Sequence, residues 1–265
     1  AIAYGLNLKE DSIVLVFDLG GGTFDVSILM VGGGTIEVLS TGGDANLGGN
    51  DFDAAIMQHI REEAKQAGYA FPTHDKAQHS LMALARKAKE DLTNNTRTTV
   101  KLPIGGGKFW ETTITRKKLE GLSSKLINRM RMPVEIAADR AGVDLSSAQL
   151  AARGKGRGRR STGLVVDEVL LVGGATRMPA VRRFVQNMTG VAPKVTAVDP
   201  DEVVALGAAV QAGILEGTVT DLAVFDNWQA TLMRALAQAR MNEDGVIELK
   251  PDAESRQQRN KRYNE

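Results

Sequence analysis

The stretch Val16-Phe17-Asp18-Leu19-Gly20-Gly21-Gly22-Thr23-Phe24-Asp25-Val26-Ser27 constrains this chain more than any other. An apolar run rich in β-branched residues, Ser12 to Phe17, precedes the glycines, and a second, Val26 to Val31, follows them. Two strands around a glycine cluster predict a hairpin whose tip is backbone only. Gly20, Gly21 and Gly22 have no Cβ to hold a ligand away, so their N–H groups can close on a phosphate. Asp18 ends the first strand, where a carboxylate can hold a metal ion or orient a water. Thr23 and Asp25 stand on alternate residues and add a hydroxyl and a second carboxylate to one face of the second strand. A glycine-rich hairpin without a ligand is the alternative that the three glycines alone leave open. The whole arrangement from Asp18 to Asp25 is far more particular.

Asp18 to Ser27 resembles the second phosphate loop of the seventy-kilodalton heat-shock chaperones of the DnaK type. The likeness extends from Ala1 to about Asp226 and leans toward plastid and cyanobacterial members. It implies an α/β chain with the actin-like ATPase (ribonuclease H-like) fold, in which residues 1–226 form the second lobe. Ala1 to Leu6 resembles the end of the helix that crosses between the lobes. The first lobe, with its phosphate loop and catalytic lysine, is expected to be absent from this chain. The resemblance also implies ATP or ADP with magnesium as cofactors and Asp18 as the magnesium ligand. Asp18, Thr23 and Asp25 would be the catalytic set of an active site, and the chloroplast stroma the compartment.

Composition narrows the rest. A chain of 265 residues, 43% hydrophobic and 25% charged, suits one large globular domain or two small ones. A net charge of +1 gives no global signal for polyanion binding. The lack of cysteine excludes disulfides, thiolate metal sites and cysteine catalysis. No run approaches the length of a membrane span. His59, His74 and His79 show no metal spacing with carboxylates and read as surface residues.

Gly32-Gly33-Gly34 turns the chain into an alternating strand, Thr35 to Ser40. The loop from Thr41 to Asp53 leads into a helix that Asp51 or Asn50 can cap, with Phe52, Ile56 and Ile60 on its buried face. Gly48-Gly49 either approaches a nucleotide or makes a tight turn. Residues 75–93 form a second helix with Leu81, Ala85, Ala88 and Leu92 on one stripe. In the family this helix supplies adenosine contacts, and Lys89 and Thr93 match them. Arg86 stands where the family has a glutamate that accepts the ribose hydroxyls, and an arginine only donates. A solvated helix face is the other reading of these charges. Thr98 to Pro103 and Lys108 to Thr115 predict a hairpin. Thr115 then caps a long helix carrying Leu119, Leu122, Leu126, Ile127 and Met130, which Pro133 is expected to kink.

Gln149 to Gly163 departs from the family as a basic Gly/Arg insertion. Arg153, Lys155, Arg157, Arg159 and Arg160 suit contact with RNA, with an acidic partner surface or with a polar membrane surface, or belong to a tolerated surface insertion. No aromatic is interleaved, so base stacking is unsupported. Val165 to Val172 reads as a buried strand entering Gly173-Gly174-Ala175-Thr176-Arg177, which resembles the family's adenosine loop. Gly173 and Gly174 permit close approach of a purine, and Arg177 can stack on it. Pro179 suits the first position of the next helix. Asp201 matches an acidic residue near the adenine pocket, before a helix from Val203 to Leu215 with a small-residue face at Gly207, Ala208 and Ala209. Asp221 to Asp226 resembles the start of the family's interdomain linker. After it the likeness is expected to stop, with no peptide-substrate domain. Residues 227–265 read as a divergent helix from Trp228 to Arg240, with Leu232 and Leu236 on its apolar stripe, and a polar tail. That helix is either a docking element or a simple packing helix.

Two classes of function follow. One is a structural or docking subunit of a larger assembly, built from half of a chaperone-type nucleotide-binding domain, with protein subunits as partners and little ATPase activity alone. The other is an ATP-dependent chaperone-type ATPase whose first lobe lies upstream or on another chain.

Overall fold

The computed structural model describes residues 11–69, 75–105, 108–145, 164–193, 202–226, 228–229, 232, 240–241 and 247–248. Its centre is the predicted hairpin. Strand β1 (Ser12–Leu19) pairs antiparallel with β2 (Phe24–Gly32), with Asp18 opposite Asp25 and Leu19 opposite Phe24. The Gly20 amide donates to the Thr23 carbonyl at 3.0 Å and closes the tip. Gly33 and Gly34, at φ of 57° and 76°, form the two-residue turn into β3 (Thr35–Asp44); positive φ at both positions matches the twist of the flanking strands.

The helices and hairpin that follow build a second unit. Helix α1 (Gly49–Gln66) and helix α2 (Asp75–Asn94) pack with the hairpin of β4 (Arg97–Gly105) and β5 (Lys108–Thr115). Ile56, Ile60, Leu81, Leu92, Val100, Leu102 and Ile114 form its core. Arg116 ties the end of α2 down by donating to the carbonyls of Leu92, Thr93 and Asn95 at 2.9–3.0 Å. Neither Asp51 nor Asn50 is the cap residue of α1. Gly48 is, and Asp51, three residues on, accepts from the Gly48 amide at 2.7 Å.

The long helix expected after Thr115 is three short ones: α3 (Arg116–Leu122), α4 (Ser124–Arg129) and α5 (Arg131–Ala141). Thr115 caps the first by accepting from the Lys118 amide at 3.1 Å. The breaks fall at Ser123, whose hydroxyl donates back to the Leu119 carbonyl at 2.7 Å, and at Met130. Pro133 therefore sits in the first turn of α5, where its missing N–H costs nothing, and does not kink a continuous helix.

The chain then returns to the sheet. β6 (Glu168–Val172) adds parallel to β1, a 3₁₀ turn spans Gly174–Arg177, and α6 (Pro179–Thr189) starts on its proline. Helix α7 (Val203–Leu215) leads to β7 (Ala223–Phe225), which adds parallel to β3. The sheet order is β6-β1-β2-β3-β7. One face buries Leu15, Phe17, Phe24 and Val26 against Val134 and Ala137 of α5 and Val181, Phe184 and Val185 of α6. The Phe17 and Phe24 ring centroids lie 4.6 Å apart. The linker-like hexapeptide of the sequence is thus an edge strand of this sheet.

Three expectations change. His59 is buried, with Nε2 3.3 Å from Glu63 one turn on along α1. Gly207, Ala208 and Ala209 do not pack: a Cβ on Gly207 would meet nothing within 4 Å, and both alanines are exposed. The helix from Trp228 does not reach Arg240. Trp228, Gln229 and Leu232 are helical, but β8 (Arg240–Met241) pairs antiparallel with β9 (Ile247–Glu248).

Candidate nucleotide site

Gly49 marks where the predicted site segments meet. A Cβ placed on it would lie 3.2 Å from Lys89 Nζ, 3.4 Å from Ala175 Cβ and 3.5 Å from the Gly20 carbonyl. The Gly20 to Gly22 hairpin, the Gly173 to Arg177 loop and α2 therefore converge on one glycine. The hairpin is clamped to it from below: the Gly49 amide donates to Gly20 O and the Asn50 amide to Gly21 O, each at 2.8 Å. A side chain on Gly48 would collide with the backbone of Gly21 and Gly22. Of the two readings of Gly48-Gly49, a tight turn is the one these contacts support, and the hairpin is what it turns under.

Gly21, Gly22 and Thr23 remain exposed at the tip, and a Cβ on Gly22 would meet nothing within 4 Å. Gly173 has φ of 83°, and a Cβ there would collide with the Leu19 carbonyl and stand 2.9 Å from Asp18 Oδ1. Glycine is required at that position on both counts. Gly174 and Arg177 are exposed beside it, while Ala175 and Thr176 are buried, the Thr176 hydroxyl donating to Gly173 O at 2.7 Å.

Asp18 is half-buried and ionises above the usual carboxylate range, first because burial desolvates it and second because Asp25 faces it across the ladder. Two carboxylates opposed across a strand ladder suit a cation. Among the described residues no three acidic or histidine side chains cluster to hold a metal by themselves. Magnesium fits such a place, because it keeps several waters and takes ligand phosphate oxygens beside one or two carboxylates.

The sequence reading missed Asp53. Its fully buried carboxylate pairs with Lys89 Nζ at 2.8 Å, and Lys89 also donates to Gly49 O at 2.9 Å. Asp53 shares the i, i+3, i+7 stripe with Ile56 and Ile60, and an acid in an apolar stripe was the available signal. Arg86 is not simply a solvated charge: its Nε lies 3.3 Å from Asp53 Oδ2 and its Nη2 donates to Asn50 Oδ1 at 3.0 Å. Thr93 lies one turn beyond Lys89, and its hydroxyl reaches Lys89 O at 3.5 Å. A narrow apolar cavity beneath Lys89 and Thr93 is lined by Phe52, Leu92, Met178 and Pro179. Asp201, the cations Arg153, Lys155, Arg157, Arg159 and Arg160, and Leu236 lie outside the described residues.

A glycine-tipped hairpin on a mixed sheet, with the Gly173 to Arg177 loop and a helical unit packed beside it, is the arrangement of a lobe of the actin-like ATPase class. The Hsp70 protein family matches residues 1–243, past Asp226 where the sequence reading ends the likeness, and the chain belongs to that family. It is 46% identical over 233 residues to a chaperone protein dnaK of Thalassiosira pseudonana, covering 85% of this chain and 35% of the relative. It is also 46% identical over 232 residues to the chloroplastic stromal 70 kDa heat shock-related protein of Spinacia oleracea, covering 85% of this chain and 36% of that one. The same identity over 232 residues holds for the chaperone protein DnaK of Prochlorococcus marinus, 34% of which is covered. The chain thus spans about a third of the length of the relatives it matches. Among the described residues no helix is long and apolar enough to cross a membrane.

Proposed function

We propose that this chain supplies one wall of an adenine-nucleotide site and works docked against a second structural unit. The phosphates lie on Gly20 to Thr23, the purine against Gly173, Gly174 and Arg177, and the ribose along Lys89 and Thr93. The convergence on Gly49 carries the reading, since it brings together segments far apart in sequence. ATP or ADP is the ligand that family membership supports, with magnesium neutralising phosphate charge when bound. In a complete site Asp18, Thr23 and Asp25 would position the attacking water, and chaperone-type ATPase activity would follow once a second wall is in place.

The tip residues Gly21, Gly22 and Thr23 are open to solvent, so this wall alone leaves much of a triphosphate uncompensated. Calorimetric titration of the 265-residue chain should give ADP and ATP affinities weaker than micromolar, with negligible hydrolysis. Complete lack of heat with both nucleotides at millimolar concentration would overturn the nucleotide reading.

The docking half of the proposal is supported by α7, whose Val204, Leu206 and Leu215 are 65%, 46% and 78% exposed, and by Trp228 and Leu232 at 64% and 50%. Protein subunits are the partners that such apolar surface suits. The cations from Arg153 to Arg160 would add attraction to RNA or an acidic surface that weakens with salt. The chloroplast stroma is the compartment in which relatives of this similarity are named.

A further inference from the structure

We infer that Arg86 makes the sugar edge of this cleft selective for nucleotides that carry a phosphate on the ribose in addition to their 5′-phosphate. The inference rests on the nucleotide-site reading above and adds a substrate class to it.

Arg86, Lys89 and Thr93 lie at i, i+3 and i+7 of α2, so they form one row along the cleft wall. The row carries Lys89 and Arg86 against the single carboxylate of Asp53, which leaves one positive charge in excess. Neither Asp51, which accepts from the Gly48 amide, nor Asp91, which accepts from the Thr98 hydroxyl, is paired with Arg86 among the described residues. Lys89 is consumed, buried against Asp53 and the Gly49 carbonyl. Arg86 is not. Its side chain is 55% exposed, and of the five guanidinium N–H donors only the Nε and one on Nη2 have partners among the described residues.

The position of those spare donors is set by Asn50. Asn50 Oδ1 accepts from Arg86, and the same side chain stands 3.9 Å from where a Cβ of Gly21 would be. The guanidinium therefore sits one side chain away from the phosphate hairpin and is held at a fixed angle by two acceptors. Neutral ribose hydroxyls can take a single N–H there but leave the charge unmet. A phosphate monoester on the 2′ or 3′ oxygen meets both the charge and the paired N–H geometry.

The test compares adenosine 5′-monophosphate with adenosine 2′,5′-bisphosphate and adenosine 3′,5′-bisphosphate by calorimetry, with ADP as the reference ligand. The parent should bind at least one bisphosphate about tenfold more tightly than the monophosphate, the scale of one charge-assisted contact. The 2′ and 3′ arms identify which oxygen carries the group. Arg86→Glu should reverse the ranking, and Arg86→Gln should abolish it while keeping the bond to Asn50. ADP binding with no bisphosphate preference, or a preference that survives in Arg86→Glu, overturns the inference and leaves the nucleotide site standing. No binding of ADP or of any of the three overturns both.

Discussion

Lys89 and Asp53 form a 2.8 Å ion pair in which the carboxylate is fully buried, and the same ammonium reaches the Gly49 carbonyl at 2.9 Å. One side chain thereby fastens α2 to the first two turns of α1, whose Gly49 amide holds the glycine hairpin. Removing the ammonium strands a buried charge that, among the described residues, only Arg86 at 3.3 Å still pairs with. Lys89→Met should lower the unfolding free energy by about 3 kcal/mol in urea denaturation. Adding Asp53→Leu should restore most of it, because the stranded charge leaves with it. A single variant as stable as the parent would show that the pair does not fasten α2 to α1.

Two glycines separate shaping the hairpin from binding a ligand. A Cβ on Gly48 runs into the backbone of Gly21 and Gly22, so Gly48→Ala should cost about 2 kcal/mol and shift the amide resonances of Gly20 to Thr23. A Cβ on Gly22 meets nothing within 4 Å, so Gly22→Ala should change stability by less than about 0.5 kcal/mol. Its ADP affinity should nevertheless fall, because the methyl group occupies the phosphate's approach. Unchanged ADP affinity in Gly22→Ala would favour a hairpin kept only for its shape.

Much of this was readable in the sequence because local signals and tertiary demands agree there. The Gly20 to Gly22 tip, the Gly33-Gly34 turn, the β4–β5 hairpin and Pro179 at a helix start all follow from backbone conformations that few residues permit. Gly173 reads on the family likeness as part of an adenosine loop, and its contact with Leu19 and Asp18 gives a physical reason for glycine there. What stayed hidden depends on long-range partners. His59 looked like a surface residue because its burial is set by the tertiary packing of α1, which its neighbours in sequence do not record. Asp53 gave a weak signal, since its partners lie 33 and 36 residues away. The break at Ser123 depends on a hydroxyl choosing the Leu119 carbonyl over solvent, and no periodicity records that.

Asp18 should be a residue whose ionisation weakens the fold. Burial and Asp25 raise its folded pKa above the free value of 3.8, so its favourable contribution is complete below that pH and is lost as pH rises through the folded value. Asp18→Asn should therefore stabilise the protein at neutral pH in thermal denaturation, and the gain should shrink on acidification toward pH 3.8. The same substitution should weaken magnesium-dependent nucleotide binding. Stability and function then move in opposite directions at one residue, as expected of a site group. A variant less stable than the parent at neutral pH would contradict the assignment.

His59 carries the opposite pH dependence. Burial lowers its pKa below the free value of 6.5, against a smaller opposing pull from Glu63. Its contribution is therefore complete above pH 6.5 and is lost as pH falls through the depressed folded value. Denaturation midpoints of the parent should decline over that window, and His59→Gln should flatten the decline. An identical pH profile in the variant would mean that another group titrates there.

Helix α7 tests whether the chain works docked. Its sequence, Val203 to Leu215, contains no charged residue, yet Val203 is its one buried member among those described. An apolar helix lying mostly in solvent either drives association or must be covered. Within the described fold its outer residues contribute little, so Val204→Lys with Leu206→Lys should change stability by no more than about 0.5 kcal/mol. The same pair should reduce binding of a hydrophobic dye and should move the sedimentation coefficient toward that of a monomer if copies associate through this face. Trp228→Ser with Leu232→Ser, on the second exposed apolar patch, separates the two surfaces. Large destabilisation by the α7 pair would show that the helix belongs to the core of this lobe. Unchanged dye binding in both double variants would remove the apolar surface on which the docking proposal depends.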